Sequence, residues 1–390
     1  MVVRILLRTI IFLLVIFTNM VTFGSESQKV TIDIGAGLTR LNSNDWTIFG
    51  TGNGELDIRS KEAKNIKARL NIQMILGNYS QPNTGLLLNE NKEIFWVKYA
   101  YIKFRLPVTE SYNIRFLTGK NSLTWGVGSF YNAANTVFGA EGTGAELLTI
   151  EGDLREETDW YTSIFIPVGR FGFIEPILLL PQPGIDESST NVFSYPSIEE
   201  TSFGTRLNTK LFNTQVEFSY LYRGINGEHN PAISLQGNIG PDIYLAASFK
   251  IYSNGNIIDD FSKNLIISGG LFWLNPFKTS KTLSIRLEGL LRPESLWSEI
   301  YKSSLSDNSY GIELFPEIIF SPTDRTTLVF RQIFSPIDFS TVTIFGIDWE
   351  SNMSLHLYNF LSFQLGENGD TYSPDSFGGI GIYAGIRYSY

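Results

Sequence analysis

The sequence predicts an all-β fold, a transmembrane antiparallel β-barrel of about 18 strands, with 16 strands as the alternative count. Three observations predict it. Apolar and polar residues alternate with period two, the alternating stretches run for about 9 to 14 residues, and short connections alternate with long ones along the chain. Stretches of that length fit tilted membrane strands better than the five or six residues usual in a soluble sheet.

The alternation begins in the first predicted strand and recurs to the end of the chain. Val30, Ile32 and Ile34 share one face, and the polar residues Thr31 and Asp33 lie on the other. The predicted strands start near Lys29, Asp45, Lys64, Glu93, Ser111, Thr158, Phe171, Thr201, Asn213, Pro231, Asp242, Lys263, Lys281, Asn308, Arg325, Phe339, Met353 and Gly378. A soluble antiparallel sandwich alternates in the same way, so alternation alone leaves both architectures open.

The connections separate the two architectures. Short turns, such as 107–110, 168–170 and 321–324, follow the even-numbered strands. Most odd-numbered strands are followed by long segments, which span 78–92, 121–157, 181–200, 224–230, 253–262, 293–307 and 366–377. A sandwich has no reason to show this parity, whereas outer-membrane barrels have short periplasmic turns and long extracellular loops. An even strand count places both chain ends on the periplasmic side.

Residues 1–24 have the order of a secretory signal peptide. Arg4 and Arg8 precede an apolar run from Ile10 to Phe17, and small residues follow around Gly24. The run is shorter than the roughly 20 residues of a membrane-spanning helix, although a retained anchor is the alternative. Residues 25–390 then form a single exported barrel domain, and the absence of cysteine excludes a lipoprotein.

Composition excludes several classes of function. The chain has 390 residues and a formal net charge of -9, which gives no basic surface for a nucleic-acid partner. It has no cysteine and only 2 histidines, so thiolate chemistry and metal sites built from several imidazoles are excluded. We find no serine-nucleophile motif. The sequence therefore predicts no enzyme, no metal site and no cofactor, with a barrel-embedded hydrolase as the remaining catalytic alternative.

The last predicted strand carries a resemblance to a known class. Ile380, Ile382 and Ala384 begin an alternating apolar face that ends at the terminal aromatic Tyr390. This pattern resembles the C-terminal strand of bacterial outer-membrane β-barrels of the porin-like kind. The resemblance implies an outer-membrane location, contact with lipid, and recognition by the barrel-assembly machinery. The residues implied to carry that signal are Tyr383, Ile386, Tyr388 and Tyr390. Porins often form trimers, so the resemblance also allows a homotrimer.

Barrel width points to transport. Sixteen to 18 strands leave an aqueous channel, whereas eight strands are filled by their own side chains. The predicted function is a channel or porin-like transporter for small polar solutes across the outer membrane. The alternative is a surface-exposed barrel that acts as an adhesin or interaction protein through long acidic loops such as 181–200 and 366–377. A soluble secreted sandwich is the third interpretation.

Charged residues on the predicted non-lipid face mark a candidate channel wall. Six bases lie in the periplasmic half of their strands: Lys67, Arg69, Lys103, Arg105, Arg115 and Arg387. Four acids face the lumen elsewhere: Glu217, Glu288, Glu313 and Glu317. The bases either form a basic patch opposite the acidic loop 141–157, with a transverse field that orders polar solutes, or pair with the four glutamates across the lumen.

The longest connection, 121–157, is predicted to be functional, because irregular segments of this size in compact proteins usually are. Its apolar content favours an inward constriction over a surface lid. The candidate constriction residues are Trp125, Phe130, Tyr131, Asn132, Asn135, Glu141 and Glu146. The stretch from Trp125 to Ala134 resembles segments of large substrate-transporting barrels, including the long-chain fatty-acid transporter family, which implies a hydrophobic substrate as an alternative. Loop 293–307 is predicted to contain a short helix.

Overall fold

The fold is a closed antiparallel β-barrel. The computed structural model describes residues 25–40, 46–60, 65–77, 95–109, 112–142, 147–148, 154–155, 157–181, 197–253, 255, 257–277, 281–293, 311–351, 354–367, 370–372 and 379–390. The strands are β1 Ser25–Arg40, β2 Trp46–Ser60, β3 Ile66–Gly77, β4 Phe95–Pro107, β5 Asn113–Ser122, β6 Thr158–Val168, β7 Gly172–Leu179, β8 Ser202–Leu211, β9 Thr214–Arg223, β10 Glu228–Asn238, β11 Asp242–Ser248, β12 Ile251–Tyr252, β13 Ile266–Pro276, β14 Thr282–Leu291, β15 Ile312–Thr323, β16 Thr326–Phe334, β17 Thr341–Glu350, β18 Leu355–Leu365 and β19 Ile380–Ser389.

Each strand pairs with its neighbours in sequence, and β1 closes the sheet against β19. The pieces β11 and β12 both pair with β10 in one register, so they form a single membrane strand and the barrel has 18. The ladder is interrupted beside Phe249 because its partner Pro231 has no amide hydrogen to donate. The predicted count of 18 strands is confirmed. Several boundaries differ by three or four residues. β1 and β10 start earlier than predicted, at Ser25 and Glu228, so the first residues of β10 were wrongly predicted as loop, and β13 and β15 start later, at Ile266 and Ile312.

The two faces of the barrel follow the alternation in the sequence. On β1, Ile32 and Ile34 are 48% and 63% exposed on the outside, whereas Gly35 and Gly37 are buried on the inside. Aromatic residues lie near both ends of the apolar outer band, as in membrane barrels. They include Trp46, Trp160 and Tyr252 near one rim and Tyr112, Trp273, Trp349 and Tyr388 near the other.

Tight turns join the strands at one rim of the barrel, which also holds the start of β1 and the end of β19. The β8–β9 turn has only Phe212 and Asn213 between the strands, both with positive φ (47° and 69°). That geometry matches the twist of a two-residue hairpin. The β6–β7 turn uses Gly169, whose φ is 63°.

In the part of the chain that the structure describes, helical structure lies in connections at the opposite rim. Helix α1 spans Ile257–Asn264, and a short 3-10 helix spans Ile198–Glu200 with Ser197 as its N-cap. Within the described ranges, no helix has the length and apolar character needed to cross a bilayer. The predicted helix in loop 293–307 and the predicted signal peptide 1–24 fall outside the described residues, except for residue 293.

Candidate functional site

Part of the β5–β6 connection folds into the barrel, and we call residues 123–142 the inner segment. Its main anchor is Glu288 on β14, whose side chain is 2% exposed. The carboxylate accepts hydrogen bonds from three consecutive backbone N–H groups, those of Ser129 (2.8 Å), Phe130 (2.8 Å) and Tyr131 (2.7 Å). A buried charge needs such donors in place of water. The hydrogen bonds therefore satisfy both the buried carboxylate of the wall and the buried backbone N–H groups of the segment.

Further backbone contacts fix the segment to neighbouring strands. The amide of Gly126 donates to Glu217 on β9 at 2.5 Å, and that of Ala133 donates to Ser268 on β13 at 2.8 Å. In the opposite sense, Arg206 on β8 donates to the carbonyl oxygen of Thr124 at 2.9 Å. The attachment therefore extends from β8 to β14.

Apolar packing adds a second kind of anchor. Trp125 is fully buried inside the barrel, in a cluster with Leu123 and Val137 of the segment. The wall residues of this cluster are Tyr161, Ile177, Leu179 and Leu221. Gly204 on β8 leaves room for the indole, because a Cβ there would lie 2.6 Å from its outer edge. Burial of such a large side chain holds the start of the segment to the wall.

The middle of the segment packs on β15. The ring of Phe130 stacks on Phe315 with centroids 4.3 Å apart, and the hydroxyl of Tyr131 donates to Glu313 at 2.8 Å. Burial, and then the neighbouring carboxylate, raise the pKa of Tyr131 well above its ordinary value. The phenol is therefore protonated and acts as the donor.

Arg155 organises the segment from within. Its buried guanidinium donates to the carbonyl oxygens of Gly139 (2.6 Å), Glu141 (3.1 Å) and Ala140 (3.2 Å), and its Nη2 lies 3.3 Å from Glu157. Five donors in a planar fork suit this convergence of carbonyl groups. The residue was missed by sequence reasoning, because an arginine in an acidic loop carries no local signal of burial.

The four predicted wall glutamates lie between the wall and the segment. These residues are only 1–5% exposed. Glu317 binds two arginines of adjacent strands, Arg286 (2.6 Å) and Arg331 (2.6 Å). Glu313 lies 3.6 Å from Arg292, and Glu217 lies 3.5 Å from Arg206. The acids thus contact arginines that were not among the predicted site residues, although each strand arginine lies on the lumen face of the alternation.

The predicted basic residues divide into two groups. Arg69 is paired with Asp57 (2.8 Å) and Arg387 with Asp33 (3.0 Å). The other four face one another across adjacent strands: Lys67 opposite Lys103, and Arg105 opposite Arg115. Their side chains are partly or largely exposed. They form a cluster on β3–β5, which we call the basic wall.

The remaining predicted residues are placed as follows. Asn132 and Asn135 are buried in the inner segment. Glu141 pairs with Arg292 on the wall. Glu146 lies outside the described residues. Of the predicted assembly residues, Ile386, Tyr388 and Tyr390 are exposed on the outer face, whereas the hydroxyl of Tyr383 lies 2.7 Å from that of Thr51 inside the barrel.

Asp338 joins two connections at the rim of the long connections, the one between β16 and β17 and the one between β18 and β19. We call this residue the rim latch. Its carboxylate accepts from the backbone N–H and hydroxyl of Thr371 (2.8 and 2.6 Å) and of Ser340 (3.0 and 2.7 Å). Burial disfavours the charged carboxylate, but the hydrogen bonds from Thr371 and Ser340 outweigh it and lower the pKa of Asp338 to about 2. The latch therefore needs the ionised carboxylate.

The rim latch should weaken only in strong acid. A carboxylate whose pKa is lowered by folding stabilises the fold fully above its ordinary pKa and loses that contribution as the pH falls through the folded value. We expect Asp338→Asn to melt below wild type at about pH 6, and this difference to shrink as the pH approaches about 2. Thermal melting of both proteins in detergent across this range is the measurement. A difference that does not change with pH would contradict the assignment.

Across the described residues, no group of three or more histidine, aspartate or glutamate side chains is arranged to hold a metal ion.

No protein-family model matches the chain, and no curated protein matches it. Solved structures do show a likeness in fold. OccAB4 of Acinetobacter baumannii has a TM-score of 0.53 at 8% identity, over 94% of this chain and 98% of that chain.

Wzi of Escherichia coli, described as an outer-membrane protein involved in group 1 capsule assembly and a carbohydrate-binding β-barrel, has a TM-score of 0.55 at 10% identity. The match covers 95% of this chain and 86% of that chain. A mutant porin of Rh. blastica has a TM-score of 0.43 at 9% identity, over 93% and 99% of the two chains. The fold is therefore that of the bacterial outer-membrane β-barrels, as the last strand indicated.

Proposed function

We propose that this outer-membrane β-barrel is a channel for small polar solutes, narrowed from one side by the inner segment. The observation that carries the proposal is the asymmetry of the lumen. The described hydrogen bonds and apolar clusters of the segment involve β5–β18, whereas the basic wall on β3–β5 retains partly exposed charged side chains. A barrel of 18 strands is wide enough to contain both a folded segment and a water-filled path.

The basic wall supports a channel rather than a structural role. Lys67 and Lys103 are directly paired across β3 and β4, and Arg105 and Arg115 across β4 and β5. Like charges opposite each other destabilise a sheet. A wall that serves only to close the barrel gains nothing from them, whereas a path for anionic or polar solutes gains a positive field. We propose a preference for anions.

The test of the channel is conductance. Refolded protein inserted in a planar bilayer should give stepwise ion currents. Heat-modifiable migration in a detergent gel would show that the same preparation is a folded barrel. A folded barrel that inserts into bilayers and gives no current would overturn the proposal.

Charge reversal tests the basic wall. We expect the double variant Lys67→Glu and Lys103→Glu to shift the reversal potential in a salt gradient from anion preference toward cation preference, because two opposed positive charges become negative. Arg170→Glu, in an exposed turn outside the lumen, is the matched control and should leave the reversal potential unchanged. An unchanged potential in the double variant would remove the basic wall from the solute path.

A second candidate, a surface barrel that binds other envelope components, is supported by the dense anchoring of the inner segment and by the fold likeness to Wzi. Loss of partner binding on deletion of a long connection, with conductance absent, would favour it over the channel.

Under both candidates the long connections face the exterior and the chain ends face the periplasm. Labelling of whole cells at an engineered cysteine in 224–227 would report that orientation.

Export and assembly are part of the same proposal. Residues 1–24 would be removed as a signal peptide, the last strand would be recognised by the barrel-assembly machinery, and the folded barrel would form a homotrimer. N-terminal sequencing of the exported protein tests the first step. Truncation of Tyr390 with measurement of folded yield tests the second, and the native mass in detergent tests the third.

A further inference from the structure

A second site lies between the inner segment and the wall formed by β9–β13. It is a cavity of ≈ 310 Å³ whose lining includes Asn135, Thr136 and Phe138 from the segment and Glu228 and Asn230 from β10. Its lining also includes the exposed residues Gly139 and Asn226, so it opens at the rim of the long connections. The basic wall on β3–β5 contributes no residue to it. The volume is at the lower end of the range for small-molecule sites.

Residues that line the cavity carry buried polar atoms for which the protein supplies no hydrogen bond. Among the described residues these are Asn135 Oδ1, Thr136 Oγ1, Glu228 Oε1 and Asn230 Nδ2. Three of the four side chains are nearly fully buried: Asn135 is 1% exposed, and Glu228 and Asn230 are 3% exposed. Buried polar groups are normally satisfied, and a concentration of exceptions in one cavity indicates a ligand that completes them.

The nearby cations do not supply the missing donors. Arg223 uses its Nη2 to hold the segment, with hydrogen bonds to the carbonyl oxygens of Thr136 (2.9 Å) and Val137 (2.5 Å). Its Nε is 3.9 Å from Glu228 Oε1, and Lys250 Nζ is 3.6 Å from the same atom. These contacts balance the carboxylate charge without a short hydrogen bond. A ligand is therefore not required to be cationic.

The chemistry of the unpaired atoms selects the ligand. Two of them, Asn135 Oδ1 and Glu228 Oε1, accept only, Asn230 Nδ2 donates only, and the hydroxyl of Thr136 does both. A ligand must then bring several O–H groups that donate and also accept, and an apolar face for the ring of Phe138. A carboxylate or phosphate group offers acceptors alone, and a quaternary ammonium group offers neither donors nor acceptors.

We propose that this cavity binds a neutral polyhydroxylated molecule of about the size of one sugar ring or hexitol. In the bound state, its hydroxyl groups donate to Glu228 and Asn135 and accept from Asn230, while a C–H face packs on Phe138. This deepens the proposed function by naming a solute class. It rests on the cavity itself, however, and does not require that the barrel conduct.

The test is ligand binding to the refolded full-length barrel in an amine-oxide detergent, because glycosidic detergents would compete for the site. Saturation-transfer NMR and calorimetry with glucose, galactose, mannose and sorbitol should show binding. Gluconate and choline serve as the anionic and ammonium probes. Glu228→Gln replaces the charged acceptor by a neutral amide, and Asn230→Leu removes the donor. We expect each variant to raise the Kd of the bound polyol roughly tenfold.

Ser234→Ala is the matched control, since Ser234 is a buried lumen residue of the same strand that does not line the cavity. Every variant is checked by heat-modifiable migration, and a variant that fails to fold is replaced by Asn135→Ala. Absence of polyol binding, equal Kd values in all variants, or binding of gluconate or choline in place of the polyol would each overturn the inference. Binding by a barrel that carries no current would support it while contradicting the proposed channel.

Discussion

Glu288→Ala is expected to release the inner segment and enlarge the conducting path. Three backbone N–H groups, those of Ser129, Phe130 and Tyr131, lose a common charged acceptor inside the barrel. Hydrogen bonds to charged groups are worth about 1.5–3 kcal/mol each, and their sum is not additive. We expect docking of the segment to weaken by at least about 3 kcal/mol, which corresponds to a roughly hundredfold larger undocked fraction.

Two measurements report the release. Limited proteolysis of the folded barrel should cut within 123–142 in the variant and not in the wild type, and the single-channel conductance should rise. Glu55→Ala is the matched control, because Glu55 is a lumen carboxylate on β2 that accepts from Asn71 (2.5 Å). If Glu288→Ala keeps wild-type protease resistance and conductance, the three hydrogen bonds do not hold the segment.

Trp125→Ala is expected to detach the start of the segment. The fully buried indole fills a space among lumen side chains, and its removal leaves a cavity that the rigid strands cannot close. Substitutions of buried tryptophan by alanine cost about 3–5 kcal/mol. Hydrogen exchange of the amides of 123–142, read by mass spectrometry on the folded barrel, should accelerate strongly, while exchange in β14–β18 should stay close to wild type.

A second substitution approaches the same contact from the wall. Gly204→Leu would place its Cβ 2.6 Å from the indole edge, which is too close for the present packing, and should loosen the same amides without removing the tryptophan. Trp273→Ala, at an outer-face tryptophan that is 36% exposed, is the control for loss of an indole in general. Slow exchange of the segment in both Trp125→Ala and Gly204→Leu would show that the backbone contacts alone are sufficient.

The barrel could be predicted from sequence because the alternation required of each strand is visible within a few consecutive residues. A strand with one face toward lipid must alternate with period two, and a run such as Val30 to Leu38 displays that constraint in nine consecutive residues. The sequence therefore predicted the strand number and the exposed position of Ile386 on the closing strand. The same local reasoning wrongly assigned residues 228–230 to a loop, because it took Pro231 as the start of the strand. The proline interrupts the hydrogen-bond ladder there, but the strand continues on both sides of it.

The interior could not be predicted in the same way. Alternation assigns Glu288 and Glu317 to the lumen face, but it does not distinguish a residue that lines water from one that lies beneath a folded segment. The partners of Glu288 are backbone amides 157–159 residues away, and amides carry no side-chain signal. Arg286 and Arg331 were missed for a related reason, since their pairing with Glu317 depends on the register of three strands.

The separation in sequence between the inner segment and Glu288 also dictates an order of folding. The segment follows β5, and the carboxylate that holds it is on β14, so the segment cannot reach its anchor until most of the strands have been made. Contacts of such large sequence separation form late, because a long stretch of chain must be ordered first. The apolar side chains of the segment, including Trp125, therefore lack their final contacts until the strands up to β14 have paired. Docking is then a step that follows barrel formation, and a variant that slows it would yield a closed, membrane-inserted barrel with an unfilled lumen.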